Sequence, residues 1–147
     1  MVTTRMEVVR RACRAWGEHD LGTIRELYAS DVIADGGELW PEGQGPVRGV
    51  DAVLATFETI MSAFEQSELV PEAFLEEGDT LVVPLLWRGC TGGVAGMVEQ
   101  RLVGTYGFRG ELLAENRWFA SLESALEALG LWPESAARLQ PDSAEAH

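Results

Sequence analysis

The chain has 147 residues, 46% hydrophobic and 24% charged, the proportions of one ordinary globular domain long enough to bury its own core. Its formal charge is −13, from 24 acidic and 11 basic residues, and every basic residue is Arg. Such a surface repels phosphate backbones, which argues against nucleic acid, and a chain without Lys has no P-loop lysine, Schiff-base lysine or serine–lysine pair.

Two cysteines, Cys13 and Cys90, with no secretion signal in MVTTRMEVVRRACRAW, predict reduced thiols and a cytoplasmic protein. No stretch reaches 18 apolar residues, so no membrane span is expected. One internal His, His19, and two distant Cys do not make a zinc site, and no cofactor is expected. Gly43, Gly45 and Gly49 lack the spacing and the strand–turn–helix setting of a dinucleotide loop.

In chain order, Met6, Val9, Cys13 and Trp16 recur at spacings of three and four, predicting a first helix that stops at Gly17. Asp20 caps a short second helix bearing Leu21, Ile24, Leu27 and Tyr28. DVIAD (31–35) reads as a short strand, and 36–49, with five Gly and two Pro, as a loop that carries Trp40. Val53, Leu54, Phe57, Ile60, Met61 and Phe64 form the stripe of a third helix.

After Phe64 the apolar period becomes two, predicting strands at 67–78, 79–90, 96–108 and 111–120. Their joints fall at Gly78–Asp79, around Gly92–Gly93, and at Arg109–Gly110. Pro71 and Pro84 inside strand patterns predict edges or bulges, hence a bent sheet. Ser121 caps a last helix that Gly130 ends, and residues 133–147 read as a flexible tail after a domain spanning 1–132. Helices first and a strand meander after them predict an α+β domain, helices on one face of a curved antiparallel sheet.

Three stretches, AWGEHDLGTIRELYASDVIAD, GPVRGVDAVLATFETI and FRGELLAENRWFASLESALEALGL, resemble the nuclear transport factor 2-like (NTF2-like) superfamily in its SnoaL-like branch. Their order and spacing carry the resemblance across residues 5 to 131. It implies a cone, a curved sheet wrapped over a long helix around an internal pocket, and a homodimer formed through the outer sheet face. The superfamily includes polyketide cyclases, ketosteroid isomerases, epoxide hydrolases and pocket proteins without a known reaction, so the fold alone leaves function open.

Carried onto this chain, the isomerase base position falls on Gly36 with Asp35 beside it, and the second isomerase carboxyl falls on Gly104. The epoxide hydrolase relay lacks its Asp residues in 96–120, where Arg101 and Arg117 stand instead. The catalytic candidates are therefore Asp35 as a general base and Arg117 as its electrophilic partner, with Tyr106 as an alternative to Arg117. Alternation along 111–120 puts Leu113, Glu115, Arg117 and Phe119 on one face; the resemblance turns Glu115 and Arg117 inward, and the other reading is a surface ion pair. With Trp16, Tyr28, Phe57, Leu85, Trp87, Gln100 and Tyr106 they would line a pocket for a small amphipathic or apolar molecule, and Trp40 would form its lid, a dimer contact or a residue docked on the core. The expected function is small-molecule binding by a SnoaL-like pocket. The alternatives are a cofactor-free isomerase or cyclase that moves a proton next to a carbonyl, and a dimeric scaffold whose cone is filled.

Overall fold

Thr4 opens the first helix: its hydroxyl accepts from the Glu7 amide, and α1 runs over Arg5–Gly17. The computed structural model describes residues 4–40, 45–90 and 98–142. The apolar stripe of α1, from Val8 and Val9 to Cys13 and Trp16, is buried. The left-handed residue that follows is His19, at φ 54°, rather than Gly17. Asp20 then caps α2 (Leu21–Leu27) through the Thr23 amide and hydroxyl.

The chain passes without a loop into β1 (Tyr28–Asp35), continues through a 3-10 turn at Gly37–Leu39 and the short β2 (Val47–Arg48), and enters α3 (Val50–Ser62). Val53, Leu54, Phe57 and Met61 of α3 are buried against the sheet, as their spacing predicts. The strands β3 (Gln66–Pro71), β4 (Ala73–Glu77), β5 (Thr80–Cys90), β6 (Val98–Arg109) and β7 (Leu112–Phe119) follow, then α4 (Leu122–Ala128) and β8 (Gln140–Pro141). The joint expected around Gly92–Gly93 lies outside the described residues.

The strand order is β2-β1-β7-β6-β5-β4-β8, with β3 pairing β5 beside β4. The expected antiparallel sheet is in fact mixed, because β1 runs parallel to β7. A strand that reaches the sheet through a helical crossover is free to enter in that sense. The segment 67–78, expected as one strand, breaks at Glu72. Three residues lie between Pro71 and Leu75 where two lie between their partners Leu85 and Val82, which is a bulge. Pro84 lies opposite it, and its carbonyl accepts from the Glu72 amide. A strand residue's N–H and C=O point the same way, so the donor Pro84 lacks would face the bulge and not β6. Both prolines thus sit where the ladder bends.

Helices α1, α2 and α3 cover one face of this curved sheet and share its main core. On the other face α4 forms a second core, where Ala125 and Leu126 pack with Leu75, Val82 and Val103. Gly130, at φ 71°, ends α4 by letting the Leu131 amide reach the Leu126 carbonyl.

Residues 133–142, part of the stretch expected as a flexible tail, pack against the domain. Pro133–Arg138 forms a 3-10 helix, and Gln140 and Pro141 pair with Phe74 and Ala73. Arg138 bonds Glu77 at 2.5 Å, and Arg10 bonds the buried Asp142 at 2.8 Å. The physical reason is that Leu131, Ala136 and Leu139 extend the second core, so the polar composition around them does not leave the segment in solvent. Among the described residues no helix is long and apolar enough to cross a membrane.

Candidate functional site

The inner sheet face is built by alternation. Register places Tyr106 of β6 beside Leu81 of β5 and Asn116 of β7, and Gly104 beside Val83 and Trp118. These side chains meet Trp16 of α1, Tyr28 of β1 and Phe57 of α3. The hollow bounded by Ala12, Cys13, Trp16, Ile24, Tyr28, Phe57, Leu69, Tyr106, Asn116 and Trp118 measures about 10 Å³. That is at most one water. The cone is closed here by aromatic rings. Phe57 meets Trp16, Tyr28 and Trp118 edge to face at 5.3, 6.0 and 5.6 Å between ring centres.

Trp40 completes the closure. Its indole is 9% exposed and lies 5.8 Å from the Trp118 ring. It fits because residue 36 is glycine: a Cβ there would stand 2.0 Å from the indole Cδ1. The position that the isomerase resemblance gives to a catalytic base is thus packed under an indole.

The polar groups of the hollow form one connected set. The Tyr28 hydroxyl donates to Asn116 Oδ1 at 2.5 Å, and Asn116 Nδ2 donates to the Thr105 carbonyl at 3.3 Å. The Tyr106 phenol lies beside Cys13 and Asn116 at the wall of the same hollow. Burial pushes the Cys13 thiol up to about 12 and raises both phenols, so all stay protonated at neutral pH. Nearby, the buried Ser67 hydroxyl oxygen accepts from the indole N–H of both Trp16 and Trp87, each at 2.9 Å. Gly104 leaves room for Tyr106, whose ring carbon would stand 2.8 Å from a Cβ at 104.

Of the residues predicted for the pocket, Trp16, Tyr28, Phe57 and Tyr106 border this hollow, Leu85 is buried in the adjoining core, and Trp40 docks beside it. Trp87 lies further along β5, half-buried, 4.8 Å from Phe64, and Gln100 is exposed. Glu115 and Arg117 do not turn inward as the resemblance implies, and the surface reading describes them better. Asn116, wholly buried, and Trp118 face in, so Glu115 and Arg117 take the opposite face, where Glu115 is exposed and the Arg117 guanidinium lies 5.0 Å from the Phe119 ring centre.

The cause is a bulge at Ala114. Register passes from Phe108↔Leu113 to Gly107↔Glu115, and one extra residue inverts the faces after Leu113. Asp35 follows Arg117 outward, since the two are register partners in the parallel pair. They share a groove of about 190 Å³ with Gly37, Trp118 and Phe119, where Asp35 Oδ1 accepts from the Gly37 amide at 2.9 Å. The two catalytic candidates are brought together, but outside the cone. Cys13, Asn116, Trp118 and Ser67 were missed by sequence reasoning. A lone Asn between Glu115 and Arg117 in an aromatic strand was the signal available for Asn116.

Among the described residues no cluster of His, Cys, Asp and Glu could hold a metal ion. On the outer face, Arg88 pairs with Glu99 at 3.1 Å and Arg101 with Glu72 at 3.2 Å, while α4 covers the apolar part. The outer face through which the resemblance implies dimerisation therefore offers charge pairs and the chain's own helix.

A curved, unclosed mixed sheet over three helices is the NTF2-like fold. The family model of the SnoaL-like domain matches residues 9–116, and the chain belongs to that family. No curated protein matches the chain. Solved structures share the fold at low identity. A hypothetical protein of ketosteroid isomerase-like fold from Catenulispora acidiphila, in complex with trimethylamine, is 18% identical with a TM-score of 0.70, over 88% of this chain and 96% of that one. An NTF2-like protein of unknown function from Burkholderia pseudomallei is 20% identical, also at 0.70, over 86% and 97%. A candidate SnoaL-like polyketide cyclase from Jannaschia is 22% identical at 0.67, over 88% and 93%.

Proposed function

We propose that the chain binds a small, largely apolar molecule between its helices and inner sheet face, and that the ligand takes the place of the Trp40 indole. The observation that carries this reading is the set Cys13, Tyr28, Tyr106 and Asn116, polar and buried at the wall of an otherwise aromatic hollow. A core that served packing alone would be more simply built from apolar side chains. The indole rests against the hollow through rings, on a segment outside the regular strands. The trimethylamine complex of the Catenulispora protein supports small-molecule binding in this fold.

Binding is favoured over proton-transfer catalysis. The groups that line the hollow are neutral at pH 7, and Asp35 and Arg117 sit in the outer groove. A general base must lie within hydrogen-bond reach of the proton it takes. The second reading, a scaffold with a filled cone, is favoured by the hollow's volume of about 10 Å³.

Isothermal titration of the wild type and of Trp40→Ala with neutral bicyclic aromatics separates the two. The binding reading expects one site per chain and at least tenfold tighter binding to the variant, in which no indole has to be displaced. Trp40→Leu serves if the alanine variant does not fold. A lack of binding to every folded form leaves the scaffold.

A further inference from the structure

We infer that the groove between α4 and the 3-10 helix that follows it is a docking site for a basic, amphipathic helical segment of another protein. The groove lies across the sheet from the hollow, so the inference is independent of what the hollow binds. Gly130 ends α4 in the left-handed region, and Pro133–Arg138 then packs beside the helix. Between them lies a groove of about 760 Å³, lined by Leu122, Leu126, Leu131, Trp132, Pro133 and Ala136.

Trp132 is the side chain that lacks a seat. It is 78% exposed, the most exposed large apolar side chain among the described residues. Its backbone is nonetheless fixed, because its carbonyl accepts from the Ser135 amide at 2.9 Å as the 3-10 helix begins. Trp16, Trp40, Trp87 and Trp118 all pack on other rings, and among the described residues Trp132 packs on none. An indole held in water beside an apolar groove has the character of an interface anchor.

Charge selects the occupant. Glu123 and Glu127 border the groove one helical turn apart, both exposed, and neither forms an ion pair among the described residues. Glu134, next to Pro133, is a third exposed acid of this kind. Other acids of the outer face are answered: Glu72 by Arg101, Glu99 by Arg88 and Glu77 by Arg138. No cation lines the groove. Carboxylates at i and i+4 of a helix are about 5–6 Å apart, so the matching segment carries Arg or Lys one turn apart beside its apolar face. A second copy of the chain fits less well, since each copy carries a formal −13. The same charge opposes nucleic acid and anionic membranes.

The test titrates the full chain into a fluorophore-labelled synthetic peptide with Leu on one helical face and Arg on the other. A second peptide has Glu in place of every Arg. Anisotropy is measured at low and high salt on the wild type, Trp132→Ala and the double variant Glu123→Gln/Glu127→Gln. The expected result is one Arg peptide bound per chain, weakened about tenfold by Trp132→Ala. The double variant weakens it about fivefold with a shallower salt dependence, and the Glu peptide does not bind. Absence of binding by the Arg peptide, or binding that Trp132→Ala leaves unchanged, overturns the inference. So does sedimentation that shows a dimer of the wild type alone and a monomer of Trp132→Ala, because a second copy is then the occupant. None of these outcomes alters the reading of the hollow, which the Trp40 variants test.

Discussion

Gly36→Ala tests how Trp40 is held. Residue 36 has φ −87° and ψ −4°, a turn conformation with negative φ that is open to alanine, so the side-chain clash and not the backbone dominates the change. The added methyl would meet Cδ1, Cγ and Nε1 of Trp40 at 2.0 to 2.1 Å. Carbon atoms rest at roughly 3.5 Å or more, so the indole must move by about 1.5 Å or leave. Leaving removes its contact with Trp118 and exposes a ring now 9% accessible. Trp burial of about 150–250 Å² at about 25 cal/mol per Å² sets an upper bound of about 4–6 kcal/mol. Alanine in place of glycine returns about 0.4–1 kcal/mol through the unfolded chain. The expected net loss is about 2–4 kcal/mol in urea unfolding, with tryptophan emission shifted to the red. In the double variant with Trp40→Ala, the Gly36→Ala cost should vanish, a coupling of about 2 kcal/mol or more. Additive losses, or wild-type stability with unshifted emission, would refute this account of the closed cone.

Ser67→Ala should cost about 2–4 kcal/mol in the same unfolding assay, because two buried indole donors lose their shared acceptor; a loss below about 0.5 kcal/mol would contradict the paired bonds. Cys13 is buried and its thiol is raised to about 12, so a thiol reagent at pH 8 should label Cys90 alone in the native protein and both cysteines in denaturant. The sign follows for stability: the unfolded thiol ionises near its ordinary value of 9.0 and the folded one near 12, so this contribution is whole below pH 9 and falls by roughly 1.4 kcal/mol per pH unit between the two. Cys13→Ala should remove that slope between pH 9 and 10, below the range where the two buried phenols add their own. Asp142→Asn should cost about 2–3 kcal/mol by breaking the Arg10 pair, and deletion of 133–147 should cost more, since it also uncovers the second core; an unaffected melting temperature after the deletion would restore the flexible tail.

The periodicities before and after Phe64 were enough to reveal the helices, most strands and the two proline-marked bends, because burial of one face imposes them directly. The parallel entry of β1 was not legible, since no local pattern reports which neighbour a strand will choose. The site suffered most from one residue. Ala114 is a bulge with no Gly or Pro to mark it, so strict alternation puts Leu113 on one face with Glu115 and Arg117, whereas the strand turns Asn116 and Trp118 into the cone. Gly36 and Gly104 were read as lost carboxylates. In the structure their missing side chains are the space that Trp40 and Tyr106 fill, a relation between residues that spacing alone does not express. The segment after Pro133 was misjudged by composition, because three apolar side chains on an existing surface suffice to hold a polar stretch.

The central claim is that the closed hollow opens for a ligand when Trp40 moves. A crystal structure of the wild-type protein soaked with 2-naphthol tests it most directly. The account predicts the bicyclic ring against Phe57 and Trp118 and the Trp40 indole displaced from Gly36. Naphthol bound only on the outer surface, with Trp40 still seated on Trp118, would contradict it.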